Sequence, residues 1–248
     1  MTEPTAAPRV PVSARERARA EVMAELLAAA RARLESDGSA ELSLRAVARD
    51  LGMASSAVYR YVESRDALLT LLIIEAYDSV GAAAEAAAEA RESGADPAGT
   101  WLEVARAVRR WALAQPYSFE LIYGTPVRGY RAPEDTVQSA LRMWGVIVGV
   151  VMAAYGDGSL TPAGPAFDPA RRIAPEVYAF VGWTDPAAVP PELARTAARS
   201  ATLFTSLVGA ISAELFGHLH RVADDYALLF DVTIATAAAG VGLHVTLD

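Results

Sequence analysis

Along the chain no stretch alternates strictly between apolar and polar residues, as a half-buried strand would, whereas apolar residues recur three and four apart almost throughout. That spacing predicts an all-α protein of about nine helices with no internal repeat. Ser13-Ala-Arg-Glu16 matches a capping box, and Val22, Leu26, Ala30 and Leu34 follow on one helical face until Asp37-Gly38 ends the pattern. Two short helices fit within residues 43–62. Ser64-Arg-Asp66 caps a long helix through Leu68, Leu72 and Glu75 to about Arg91, whose second half, AAAEAAAEAR, forms helix readily but offers little apolar surface. Asp96-Pro97 starts the next helix, with Trp101, Leu102, Ala105, Val108 and Trp111 on one side and Gln115-Pro116 as its stop. The aromatic segment YSFELIYG separates it from a helix begun by Pro133-Glu-Asp135 and carried through Val137, Leu141, Trp144, Val148 and Val151. Residues 156–169 read as a loop, 177–183 as a broken helical piece, and roughly 191–217 and 224–241 as two last helices.

The stretch SLRAVARDLGMASSAVYRYV, residues 43–62, has the pattern of a helix-turn-helix. Ser43 is placed to cap a first helix whose Leu44, Val47, Ala48 and Leu51 form an inward stripe. Ala48 is small where a second helix must cross closely. Gly52 stands where the chain needs a left-handed bend, the conformation that costs glycine least. Met53, Val58 and Val62 can then face the core, leaving Ser55, Ser56, Ala57, Tyr59, Arg60 and Tyr61 on or near the open face. Small residues at its start allow close approach to bases or phosphates, tyrosine hydroxyls and arginine donate to phosphates, and arginine also reads guanine.

Charge first argues against such a partner, because the net charge is −8. The distribution changes that picture: residues 1–65 carry 10 arginines and 9 carboxylates, residues 66–248 carry 12 and 21, so the acidity lies in the body. Arginine supplies every basic side chain, which a GC-rich coding sequence explains as well as phosphate binding does. The hydrophobic fraction of 53% reflects 53 alanines, and the longest unbroken apolar run, residues 143–155, is shorter than a helix needs to cross a bilayer core of about 30 Å. No export signal is visible and there is no cysteine, so the expectation is a cytoplasmic protein without a membrane partner, disulfides or Cys-ligated zinc.

The segment LSLRAVARDLGMASSAVYRYVESRDALL, residues 42–69, resembles the DNA-binding head of tetracycline-repressor-like (TetR) transcriptional regulators. Ala48 four residues before Gly52, Tyr59 and Tyr61 on the second helix, and Arg65 ahead of DALL carry the likeness. Arg65 stands where lysine is usual in the family. The first residues, rich in proline and alanine, read as a disordered arm over 1–12, and the resemblance implies a head over 13–63 and an effector-binding, dimerising body over 64–248. It implies that Ser43 and Arg45 contact phosphates, that Ser55, Ser56 and Ala57 approach base edges, and that Arg60 reads sequence. Tyr59, Tyr61 and Arg65 would hold the DNA backbone.

The body is in part similar to a TetR subgroup named for a Trp-His-Gly motif, with Phe204 and Val208-Gly209 where such residues would fall. On that reading Trp101, Trp111, Tyr117, Phe119, Tyr123, Trp144 and Trp183 line an apolar effector pocket; each is equally at home in a core. Arg106, Arg109, Arg110 and Glu120 sit best on solvated faces. Small residues at helical spacing, Ser206, Gly209, Ala210 and Ala213 with Ala235, Ala238 and Ala239, suit a homodimer interface. His218 and His220, two apart, point to different faces and make a poor metal pair even beside Asp224 and Asp225. No phosphate loop, nucleophile elbow or zinc-protease motif is present, so no catalysis and no cofactor are expected. The expected function is a ligand-responsive repressor released from a palindromic DNA operator by a small apolar effector. An activator of the same family, or a helical small-molecule-binding or scaffold protein without DNA binding, are the alternatives.

Overall fold

The computed structural model describes residues 13–90, 96–161 and 191–247, with isolated positions 174, 179, 185 and 188. Among these residues there are nine helices and no strand. They form two compact units, Met1–Leu72 and Ile73–Asp248. The expected arm over 1–12, the helical piece at 177–183 and most of the loop at 156–169 lie outside the described residues.

The first unit holds α1 (Ala14–Glu41), α2 (Leu44–Asp50), α3 (Ser55–Val58) and the start of α4 (Arg65–Glu89). Ser13 Oγ accepts from the Glu16 amide at 3.2 Å while the Glu16 carboxylate accepts from the Ser13 amide at 2.8 Å, completing the capping box. Leu26, Ala30 and Leu34 are buried as their spacing requires. Gly38, at φ 76°, breaks the helix where Asp37-Gly38 predicts its end, and helical turns resume to Glu41. The division between units falls within α4, later than the expected boundary before it. Leu68, Leu69 and Leu72 are all buried at the start of that helix, so its first two turns belong with the head.

The second unit holds the rest of α4, α5 (Pro97–Ala114), α6 (Pro116–Tyr123), α7 (Thr136–Asp157), α8 (Pro191–Leu215) and α9 (Tyr226–Val241). Asp96 caps α5 through both carboxylate oxygens, to the amides of Ala98 and Gly99. Helix α5 packs on α6, α7, α8 and α9. Trp101, Leu102, Ala105, Val108 and Trp111 are all buried on it, as their spacing predicts. Two guanidiniums tie its polar edge to the last helices: Arg106 to Asp231 on α9 at 2.7 Å, and Arg109 to Glu214 on α8 at 2.6 Å.

Helix α7 departs from its expected face. Val148 and Val151 are buried as expected, but Val137 is exposed, Leu141 and Trp144 are half-buried, and Met143, Ile147, Val150 and Ala154 are buried as well. This helix is apolar nearly all round, so periodicity alone does not select its inward side. The same property corrects the bilayer argument: by length and composition both Arg65–Glu89 and Thr136–Asp157 could cross a membrane. Each contributes instead to the core of the second unit, through Val80 and Ala84 on α4 and Met143 to Ala154 on α7.

Trp101 is fully buried and its indole N–H reaches the Ile234 carbonyl at 3.5 Å. Truncating it, Trp101→Ala, is expected to cost about 3–5 kcal/mol of stability in urea unfolding. Leu113→Ala on the exposed side of the same helix should stay within about 0.5 kcal/mol.

Candidate nucleic-acid interface

The site begins at the end of α1. Ser43 leaves that helix in extended conformation, and its Oγ accepts from the Ala46 amide at 3.3 Å, fixing the start of α2. Leu44, Val47 and Ala48 bury one side of α2, and Arg45 and Arg49 remain exposed on the other. The chain then turns. Gly52 takes φ +64°, its amide donates to the Arg49 carbonyl, and the Met53 amide donates back to the Ala48 carbonyl at 2.8 Å. Those two bonds satisfy the last carbonyls of α2 and set the angle at which α3 leaves.

Helix α3 is a single turn, continued by hydrogen bonds from the Arg60, Tyr61 and Val62 amides to the preceding turn. Val58 is 0% exposed and Val62 is buried, which rotates the rest of the segment outward. Ser56, Tyr59 and Arg60 are exposed, Tyr59 by 50%; Ser55, Ala57 and Tyr61 are half-buried beside them. Met53, expected in the core, is half-buried, because the turn spends it at the rim.

The basic residues divide into two groups. Arg45 and Arg60 are exposed and make no ion pair among the described residues, so their guanidiniums are open to an anion. Arg65 is engaged: its Nε donates to the Leu42 carbonyl at 3.0 Å and Nη1 lies 3.6 Å from Asp66. It therefore fastens the α1–α2 connection to α4, in addition to the phosphate role expected of it. Tyr61 lies under the Arg19 guanidinium, 5.3 Å from its ring centre. Neither Arg19 nor Arg33 was legible as part of the site. Arg33 forms a bidentate pair with Asp50 at 2.6 and 2.7 Å and also bonds Asp37 at 2.7 Å. Its pairing with Asp37 is visible as an i,i+4 spacing, but the reach to the end of α2 depends on how α1 and α2 cross. These bonds hold both carboxyls below the usual carboxylate range.

The remaining expected residues sit in the second unit. Trp101, Trp111 and Phe119 are buried in its core, Trp111 donating to Ser79 Oγ at 2.9 Å. Tyr117 is exposed. Tyr123 and Trp144 are half-buried around Phe204, Trp144 stacked on it at 5.0 Å and Tyr123 edge-on at 6.1 Å. Burial pushes the Tyr123 hydroxyl well above its ordinary pKa. Trp183 lies outside the described residues. Arg106 and Arg109, expected on solvated faces, are ion-paired to Asp231 and Glu214. Among the small residues on α8 and α9, Gly209 and Ala239 are exposed and Ser206, Ala210, Ala213 and Ala235 are half-buried. Ala238 has to be reassigned: it is 0% exposed and packs inside this chain's own core. Leu228 and Val232, both exposed, extend the outer face of α9 that carries Ala235 and Ala239. Among the described residues no group of three His, Asp or Glu side chains could hold a metal ion.

Two outcomes follow for the head. A Cβ built on Gly52 meets nothing within 4 Å, so Gly52→Ala isolates the backbone cost of a left-handed residue, about 1–2 kcal/mol, measured by chemical denaturation; Gly52→Asn should lose less. The second concerns Asp50. Folding depresses the Asp37 and Asp50 pKa values, so their stabilisation is complete above about pH 4, the value of the unfolded chain, and is lost as pH falls through the depressed values. Asp50→Asn should lower the melting temperature at pH 7 by on the order of 2 °C, with the difference from wild type closing below about pH 4.

Comparison with known proteins agrees with this geometry. Residues 26–72 match the family of bacterial regulatory proteins, tetR family, and residues 101–237 match the tetracyclin repressor-like C-terminal domain. The HTH-type transcriptional regulators Rv1816 of Mycobacterium tuberculosis and Mb1846 of Mycobacterium bovis are each 36% identical to the chain over 247 residues, covering 94% of it and 97% of their own length. The crystal structure of regulatory protein SCO4313 is 34% identical with a TM-score of 0.72, over 92% of this chain and 100% of that one. A tetR-family regulatory protein from Rhodococcus RHA1 shares the fold at 18% identity and a TM-score of 0.59, over 89% and 96% of the two chains. The families matched are regulators of transcription rather than enzymes, and their two models cover the head and most of the body. With a bent helix pair that turns Ser56, Tyr59 and Arg60 outward and relatives alike over nearly its whole length, the chain belongs to the TetR family of transcriptional regulators and carries its DNA-binding domain.

Proposed function

We propose that the protein is a homodimeric repressor, released from a palindromic operator by a small effector bound in the helical body. The observation that carries this reading is the outward face of the α3 segment. Burial of Val58 and Val62 leaves Ser56, Tyr59 and Arg60 exposed, with Arg45 on α2, which has no ion pair among the described residues. Tyr59, Tyr61 and Arg45 give register through phosphates, and Arg60 gives sequence choice through a guanine edge. Ser55, Ser56 and Ala57 allow the backbone close to the bases.

A twofold dimer suits the outer faces of α8 and α9. Gly209 and Ala239 let helices approach closely, and the exposed Leu228 and Val232 supply apolar area to bury. Two copies would set their recognition segments about 34–36 Å apart, one turn of DNA, or somewhat wider. The acidic balance of the body, −9 over residues 66–248, turns that part away from DNA and leaves the near-neutral head to meet it. An effector that binds better when α4 sets the heads at the wrong spacing must weaken DNA binding by the same factor that DNA weakens its own.

The test begins by selecting bound sequences from random duplex DNA, then measures fluorescence anisotropy of the enriched duplex. Arg60→Ala is expected to weaken binding about five- to 150-fold, converting a loss of about 1–3 kcal/mol per base contact. Arg45→Ala should weaken all sequences alike and flatten the dependence of log Kd on log salt by about one unit. Wild-type affinity in both variants would remove the assignment of this face.

A further inference from the structure

We infer that the cleft between α4, α5 and α7 binds a cationic amphiphile, and that the ligand's charge displaces Arg142 from Glu85. The inference rests on the ligand-responsive reading above and supplies its site and ligand class. The cleft measures about 350 Å³, within the range of about 300–1,000 Å³ typical of small-molecule sites. Its α7 wall is Val146, Gly149, Val150 and Ala153, an apolar strip widened by the missing side chain at Gly149. Its α4 wall carries Glu85 and Glu89, one helical turn apart on one face. Among the described residues that line it none is cationic. An apolar strip facing two carboxylates is complementary to an alkyl or aryl body with an ammonium head.

Glu85 also faces the other way. Arg142 of α7 lies flat against the backbone of Gly81, so close that a Cβ there would stand 2.8 Å from its own Cβ. From that position Nε and Nη2 donate to Glu85 at 2.9 and 2.5 Å, and Nη1 donates to the Asp78 carbonyl and carboxylate at 3.1 and 2.9 Å. This fork fastens α7 to α4. A cation in the cleft competes for one of its two carboxylates, leaving Arg142 held by Asp78 alone. Helix α4 runs back to Arg65 in the first unit, so loosening its hold on α7 acts on the helix that carries the head.

The probes are decyltrimethylammonium, 1-decanol and decanoate, titrated calorimetrically into the full-length protein below their micelle-forming concentrations. The cation is expected to bind at least tenfold tighter than decanol, and decanoate weaker than both. The double variant Glu85→Gln, Glu89→Gln should erase that order while leaving decanol affinity unchanged. Arg142→Gln, checked for folding by circular dichroism, should tighten the cation at least threefold, because Glu85 is released to it. Equal binding of the three probes, or a charge order that survives the double substitution, overturns the site. Unchanged cation affinity in Arg142→Gln overturns the exchange. The enriched DNA is then added: a cation that binds as expected without lowering DNA affinity sinks the ligand-responsive reading and leaves the site standing. DNA release by other ligands, with no binding of the cation, does the reverse.

Discussion

Everything the head presents depends on one bend. Gly52 can adopt φ +64° without the steric penalty a Cβ would meet, and that single conformation lets the Met53 amide close back onto Ala48. The α3 segment then leaves at an angle that sends Val58 inward, and with Val58 anchored the rest of a short helix has no freedom of rotation. Ser56, Tyr59 and Arg60 face solvent because Val58 and Val62 do not. The supports around the bend act on the same geometry: the Ser43 cap fixes where α2 begins, Arg33 ties its end to α1, and Arg65 holds the Leu42 carbonyl. A set of charge-assisted bonds on the surface contributes little to total stability. Their use here is positional.

The second unit is organised differently, around an aromatic helix rather than a turn. Helix α5 buries Trp101 and Trp111 and hands its charged edge to α8 and α9 through Arg109–Glu214 and Arg106–Asp231. Arg142 plays the corresponding part between α7 and α4. Arginine suits these places because its planar fork engages a carboxylate through two bonds at once. Arg33, Arg65, Arg106, Arg109 and Arg142 are thus spent on fastening helices, whereas Arg45 and Arg60 keep exposed guanidiniums for another molecule.

What could be read from the sequence follows the range of the physics involved. Caps are local, so Ser13, Ser43, Ser64 and Asp96 could be named from their neighbours, and the structure has each accepting the amide bonds expected. The glycine turn is local too. The aromatic stripe of α5 has a strong period against polar residues on the far side, and its inward face was legible. Helix α7 lacks that contrast: apolar residues surround it, so the choice of Met143 over Val137 belongs to its neighbours. Arg19 over Tyr61, Arg33 on Asp50 and Arg142 on Glu85 join residues 42, 17 and 57 positions apart, and no local pattern marks them. Ala238 shows the converse error, since small size at helical spacing suits an intrachain crossing as well as a dimer interface.

The most direct measurement is amide-resolved NMR of the isotope-labelled full-length protein titrated with the DNA it enriches from a random pool. The account predicts that the largest shifts fall on the Ser43 to Ala46 turn and on the amides from Ser55 to Arg60, with the α5 core unmoved. Saturating DNA that leaves those amides in place while shifting others would contradict it.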